Sequence, residues 1–180
     1  MRSSSSRSCW WCTLLIALSG AATATAHDTG FGHSRRAIFF SATQTGYEIQ
    51  YRLVLAPDEA LLEAIHADRD SDGEISADET DQFFTARARS LGQRLRCTIA
   101  GKGVALTAAG FTLENSLVQT YRFSVATAKD AELLVSDDNF PHKPGHVDLG
   151  AGEGLKVELA EPAELGHVDR LRLRVRPKPQ

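Results

Sequence analysis

Apolar and polar residues alternate along most of this chain, with the two-residue period of strands that bury one face. Tyr47, Ile49, Tyr51, Leu53 and Leu55 are interleaved with Glu48, Gln50 and Arg52. An earlier run, 37–42, leads into them through Gln44-Thr45-Gly46, and the two predict a hairpin. Further strands are predicted at 94–100, 104–108, 118–127, 131–136, 154–160 and 169–176. Gly101-Lys102-Gly103 is the predicted turn between the first two of these. In the last run Arg170, Arg172, Arg174 and Arg176 alternate with Leu171, Leu173 and Val175, which reads as one polar strand face. The period changes only once. Pro57-Asp58-Glu59 has the proline and acids of a first helical turn, and Leu61, Leu62 and Ile65 follow at helical spacing. A second helix, Ala77 to Leu95, carries Phe83, Phe84, Ala88, Leu91 and Leu95 on one side. Eight or so short strands and one helix pair predict an α+β fold. It is expected to be mainly an antiparallel β-sandwich, with the helix pair inserted between the second and third strands.

Between the two helices, residues 68–79 read Asp-Arg-Asp-Ser-Asp-Gly-Glu-Ile-Ser-Ala-Asp-Glu. Ca²⁺ is a hard cation that takes about 6–8 oxygens, so it needs several carboxylates on a chain bent around one point. Asp68, Asp70 and Asp72 each offer a carboxylate oxygen, and Gly73 permits the sharp turn. Glu74 offers its backbone carbonyl, Ser76 acts directly or through a water, and Glu79 closes the set bidentately. A solvated acidic turn is the bland alternative, but it does not require a helix on each side. On these residues and their flanks the segment at about 57–92 resembles the EF-hand calcium-binding family. EF-hands pair side by side through the eighth loop residue, here Ile75. A lone one must pair across a homodimer or lean on its own sandwich, and tethering by the flanking strands favours the latter.

The N-terminus bounds the compartment. Arg2 and Arg7 with serines, the short run Leu14-Leu15-Ile16-Ala17-Leu18, and Ala24-Thr25-Ala26 together read as a signal peptide, 1–26. The remaining residues, 27–180, are expected to form a single β-rich domain, secreted or periplasmic. No later run is long enough to span a bilayer. Cleavage would remove Cys9 and Cys12, leaving Cys97 without a partner and read as a buried thiol on a strand. Without Arg2 and Arg7 the chain keeps 18 Lys+Arg against 23 Asp+Glu, a net charge of −5. Residues 58–81 alone hold ten acids and one base, a net of −9, so the acidity gathers around the loop. No basic cluster interleaved with aromatics points to nucleic acid.

The overall layout is similar to the extracytoplasmic domain of some bacterial nickel/cobalt permease-like and hydrogenase/urease accessory proteins. The features that carry this are a His after the cleavage site, a Tyr-bearing second strand, the acidic helix-loop-helix, Val135-Ser136-Asp137-Asp138-Asn139-Phe140, and Gly145-His146-Val147-Asp148-Leu149. The resemblance implies a periplasmic accessory role in handling nickel, cobalt or copper for a transport system, with a membrane or periplasmic protein as partner. The chain departs from it in having no membrane helices. Cleavage would expose the α-amine of His27, which with its imidazole can chelate Cu²⁺ or Ni²⁺, and His33 can add a ligand. His142 and His146 form a second candidate pair, with Asp137, Asp138 and Asn139 as oxygen donors. The bland readings are a terminal tail and a strand-capping turn. Gly150, Gly152 and Gly154 precede a strand rather than a helix, which argues against a dinucleotide site. No nucleophile elbow, Walker loop, His-Glu-x-x-His or CxxC motif stands in 27–180. The expectation is therefore a non-enzymatic exported calcium-binding protein, with the transition-metal accessory role as its alternative.

Overall fold

A computed structural model of the chain describes residues 35–128, 131–140, 147–160 and 171–178. The expected signal peptide and His27, His33, His142, His146 and His167 lie outside the described residues. The described elements are β1 (Arg35–Thr43), β2 (Gly46–Val54), α1 (Pro57–Ala67), α2 (Ala77–Arg94), β3 (Leu95–Ile99), β4 (Lys102–Val104), β5 (Leu106–Asn115), β6 (Val118–Ala126), β7 (Leu133–Asp137), β8 (Val147–Ala151), β9 (Leu155–Leu159) and β10 (Leu171–Pro177). The fold is α+β and mostly β, with two five-stranded sheets ordered β5-β6-β2-β1-β8 and β4-β3-β7-β10-β9. Among the described residues all strand pairs are antiparallel except β1 with β8, which run parallel with Ile38 opposite Leu149.

The alternation read from the sequence decides what is buried. Ile38, Phe40, Tyr47, Ile49, Tyr51, Leu53, Tyr121, Phe123 and Val125 come from the first sheet. Leu95, Cys97, Leu133, Val135, Leu155, Leu171, Leu173 and Val175 come from the second, and all belong to one core cluster. Full burial of each large apolar side chain contributes about 1.5–3 kcal/mol. The arginine-bearing face of β10 turns outward, where Arg174 pairs with Glu132 at 3.2 Å and Arg176 with Glu158 at 2.9 Å. Cys97 is 3% exposed, and burial pushes its thiol up to about 12.

Three expectations need correction. The run 104–108 is not one strand: Val104 ends β4 in the second sheet and Leu106 begins β5 in the first, so the chain crosses between sheets at Ala105. β5 then continues to Asn115, through an irregularity between Ala108 and Gly110. The turn before β4 is Ala100-Gly101 rather than 101–103, because Ile99 pairs with Lys102 and the two residues between them have φ of 48° and 75°. Positive φ at both central residues is the twist a two-residue hairpin prefers. Finally, residues 147–151, to which the pattern assigns no strand, form β8 against the edge of β1.

A buried polar cluster joins the sheets. Asp137 on β7 accepts at Oδ2 from Arg36 of β1 and from the Tyr51 hydroxyl of β2, both at 2.9 Å. Its Oδ1 accepts from the backbone N–H of Asn139 at 3.0 Å and from Asn139 Nδ2 at 2.8 Å. Asn139 Nδ2 also donates to the carbonyl of Leu91 in α2 at 3.2 Å. Burial, and then the neighbouring Asp137 carboxylate, raise the Tyr51 hydroxyl well above its ordinary value, so it remains a donor.

Candidate metal centre

Both helix ends that frame the 68–79 loop are set by local sequence. Pro57 occupies the first turn of α1, where its missing N–H is no loss. The helix ends as the Asp68 N–H donates to the Ala64 carbonyl at 3.0 Å. α2 begins with a capping box: Ser76 Oγ accepts from the Glu79 N–H at 3.3 Å, and Glu79 Oε2 accepts from the Ser76 N–H at 3.0 Å. Between them the acids fold the loop on themselves. Asp68 Oδ2 accepts from the Gly73 N–H at 3.1 Å, Asp70 Oδ1 from the Asp72 N–H at 3.3 Å, and Asp72 Oδ1 from the Glu74 N–H at 2.8 Å. Gly73 sits at φ 88° with open space where a Cβ would be, so it is the backbone turn and not room that asks for glycine.

This folding brings three of the sequence-derived residues together. One carboxylate oxygen from each of Asp68, Asp70 and Glu79 lies within 4.8 Å of the others. Asp72 instead caps the Glu74 N–H, and Ser76 Oγ donates to Glu79 Oε2 at 2.8 Å. The side chain of Glu74 is exposed. Glu79 Oε1 reaches back across the loop to the N–H groups of Arg69 at 2.7 Å and Asp70 at 3.4 Å. The Ser76 backbone N–H, then the Ser76 hydroxyl, then the Arg69 N–H hold the Glu79 carboxyl down to about 2. The stabilisation from these bonds is full above the ordinary 4.5 and is lost as pH falls toward about 2.

One atom stands out chemically. Asp68 Oδ1 is buried and has no hydrogen-bond partner. Leaving a buried polar atom unsatisfied costs about 1–3 kcal/mol, and more for a charged one. Two further carboxylates add like charge within the same few ångströms. An oxygen-rich corner with one buried carboxylate oxygen left without a donor fits a hard cation, and it does not fit an anion or a soft metal.

The loop rests on a polar relay that pattern reading does not single out. Glu63 of α1 pairs with Arg87 of α2 at 2.7 Å. Its other oxygen accepts from Gln119 Nε2 on β6 at 2.6 Å, and Gln119 Oε1 accepts from the Tyr121 hydroxyl at 2.7 Å. Burial, then the Glu63 carboxylate, raise the Tyr121 hydroxyl above its ordinary value. The available signal is Gln119, a polar residue in register with Tyr121, Phe123 and Val125 on the inward face. Below the loop, a groove of about 180 Å³ is lined by Ala60, Ala64, Ala67, Ile75, Phe84 and Leu113, among others.

The histidine candidates His27, His142 and His146 lie outside the described residues. Of their proposed oxygen donors, Asp137 and Asn139 are engaged in the buried cluster between the sheets. Asp138 pairs with Arg96 at 2.9 Å. No protein-family model matches the chain, and no curated protein matches it.

Proposed function

We propose that this chain is an exported, non-enzymatic calcium-binding domain: a β-sandwich with an EF-hand inserted between β2 and β3, whose ion steadies the helix pair. The carrying observation is the buried, unpartnered Asp68 Oδ1 beside the carboxylates of Asp70 and Glu79. Asp68, Asp70, Asp72, the Glu74 carbonyl, Ser76 and Glu79 would hold the ion, and its positive charge would offset their mutual repulsion. The sandwich reading is supported by the single core drawn from both sheets and by the Arg36–Asp137–Tyr51 cluster between them. The insertion reading is supported by the place of α1 and α2 in the chain order and by the relay that ties both to β6. Among the described residues no helix is long and apolar enough to cross a membrane.

Ligand that binds only the folded state stabilises it by about 2.7 kcal/mol when free Ca²⁺ is about 100 times Kd. A lone hand in an extracellular module has a Kd of about 10⁻⁴–10⁻³ M. Thermal unfolding of metal-free protein is therefore expected to shift upward in millimolar Ca²⁺, and much less in Mg²⁺. The Asp68→Ala variant is expected to keep its β-sheet circular dichroism and lose the shift. A midpoint indifferent to Ca²⁺ sinks the proposal.

A further inference from the structure

We propose that the outward face of α1 is a docking surface for a basic, amphipathic polypeptide segment of another protein. The residues whose spacing marks this helix in the sequence are not the ones that hold it to the domain. Its inward side is Ala60, Ala64 and Ala67 with Glu63, while Leu61, Leu62 and Ile65 are 62%, 56% and 59% exposed. Asp58, Leu61, Leu62 and Ile65 fall on one side at the helical repeat, so the helix is amphipathic in the reverse sense to a surface helix that packs its large side chains inward. Isolated exposed leucines need no explanation, but three large aliphatics gathered on two adjoining turns of one helix form a patch.

The setting of the patch selects the partner. It lies within residues 58–81, whose net charge is −9. α1 leads from Asp58 directly into the acidic loop, in which Asp70, Asp72 and Glu74 are exposed. An anionic lipid surface or a nucleic acid would be repelled by this field. A segment that presents leucine-like side chains flanked by lysine or arginine would gain both apolar burial and charge complementarity, and would associate faster at low salt. The inference stands on the described geometry of α1 and does not require the loop to bind Ca²⁺.

The test uses the full chain and a synthetic helical peptide with leucine on one face and lysine on the other, read by calorimetry in low salt. Saturable binding is expected, weakened in about 0.5 M NaCl as charges are screened. A triple variant, Leu61→Ser, Leu62→Ser and Ile65→Ser, keeps every charge. It is expected to bind about tenfold or more weakly, since each aliphatic burial is lost. Its melting midpoint and circular dichroism should match the parent, because the altered side chains are exposed, and they report that α1 persists. Equal binding by the triple variant, or equal binding of a leucine/glutamate peptide of the same pattern, overturns the proposal. So does binding to phosphatidylglycerol vesicles that the triple variant loses. A dimer of the chain alone that dissociates in the triple variant would assign a second copy to this face instead, and also overturns it.

Discussion

Glu79 serves two structures with one carboxylate. It closes the capping box of α2 and it stands in the three-carboxylate group with Asp68 and Asp70. These residues were legible because the loop's polar contacts are made among neighbours in sequence, so spacing alone carries the geometry. The Glu63–Gln119 and Arg36–Asp137 contacts were not legible, because their partners lie 56 and 101 residues apart and meet only once the sheets have formed. Cys97 marks the other end of residue-scale behaviour. Its thiol is held neutral up to about 12 in the fold, against an ordinary 9.0 once exposed. Because the folded value is the higher one, this contribution is complete below pH 9.0 and is lost as pH rises toward about 12. At about pH 8 the thiol is expected to resist a disulfide exchange reagent until guanidinium unfolds the chain. Stoichiometric colour release from native protein that starts at His27, and so lacks Cys9 and Cys12, would contradict the burial of β3.

Elements depend on single positions at their ends. Ser76→Ala removes the side-chain cap of α2 and the hydroxyl that Glu79 accepts, and is expected to cost about 1 kcal/mol in metal-free protein. Urea unfolding measures this, and a change within a few tenths of a kcal/mol would argue against the cap. Gly46 opens β2 at φ 145°, where an added Cβ would stand 2.0 Å from the Val125 carbonyl oxygen. That neighbour is backbone and cannot swing aside. Gly46→Ala is therefore expected to destabilise by more than about 2 kcal/mol, read by the same denaturation curves. A neutral result would mean the β1–β2 turn can rebuild itself. The strands that pattern reading missed share a cause. β5 continues through Ala108, Ala109 and Gly110, which have no β-branched side chain to signal a strand and are poorly buried. β8 is short, contains Gly150, and earns its place only by parallel pairing with a distant β1.

For the whole molecule, Asp137 of the second sheet accepts from Arg36 and Tyr51 of the first, and from Asn139, which also donates to the Leu91 carbonyl of α2. Asp137→Ala would leave the Arg36 guanidinium buried without its carboxylate and two further donors without an acceptor. The expected loss is about 3–5 kcal/mol, with a single unfolding transition followed by both tryptophan-independent sheet signals and tyrosine absorbance. A loss within a few tenths of a kcal/mol would mean the sheets are held together by the apolar core alone. The fold class was legible because alternation survives in strands with one buried face. The order of strands was not, since neighbours such as β2 and β6 are chosen by packing between segments far apart in the chain.

The position of β10 carries one more consequence. It lies between β7 and β9, and among the described residues β9 joins its sheet through β10 alone. During synthesis, then, everything before Leu171 can be made while this sheet is still in two pieces. A chain cut short of that residue lacks more than β10: β9 is orphaned and one flank of β7 lies bare. The sheet closes like a belt at its buckle, and β10 is that buckle.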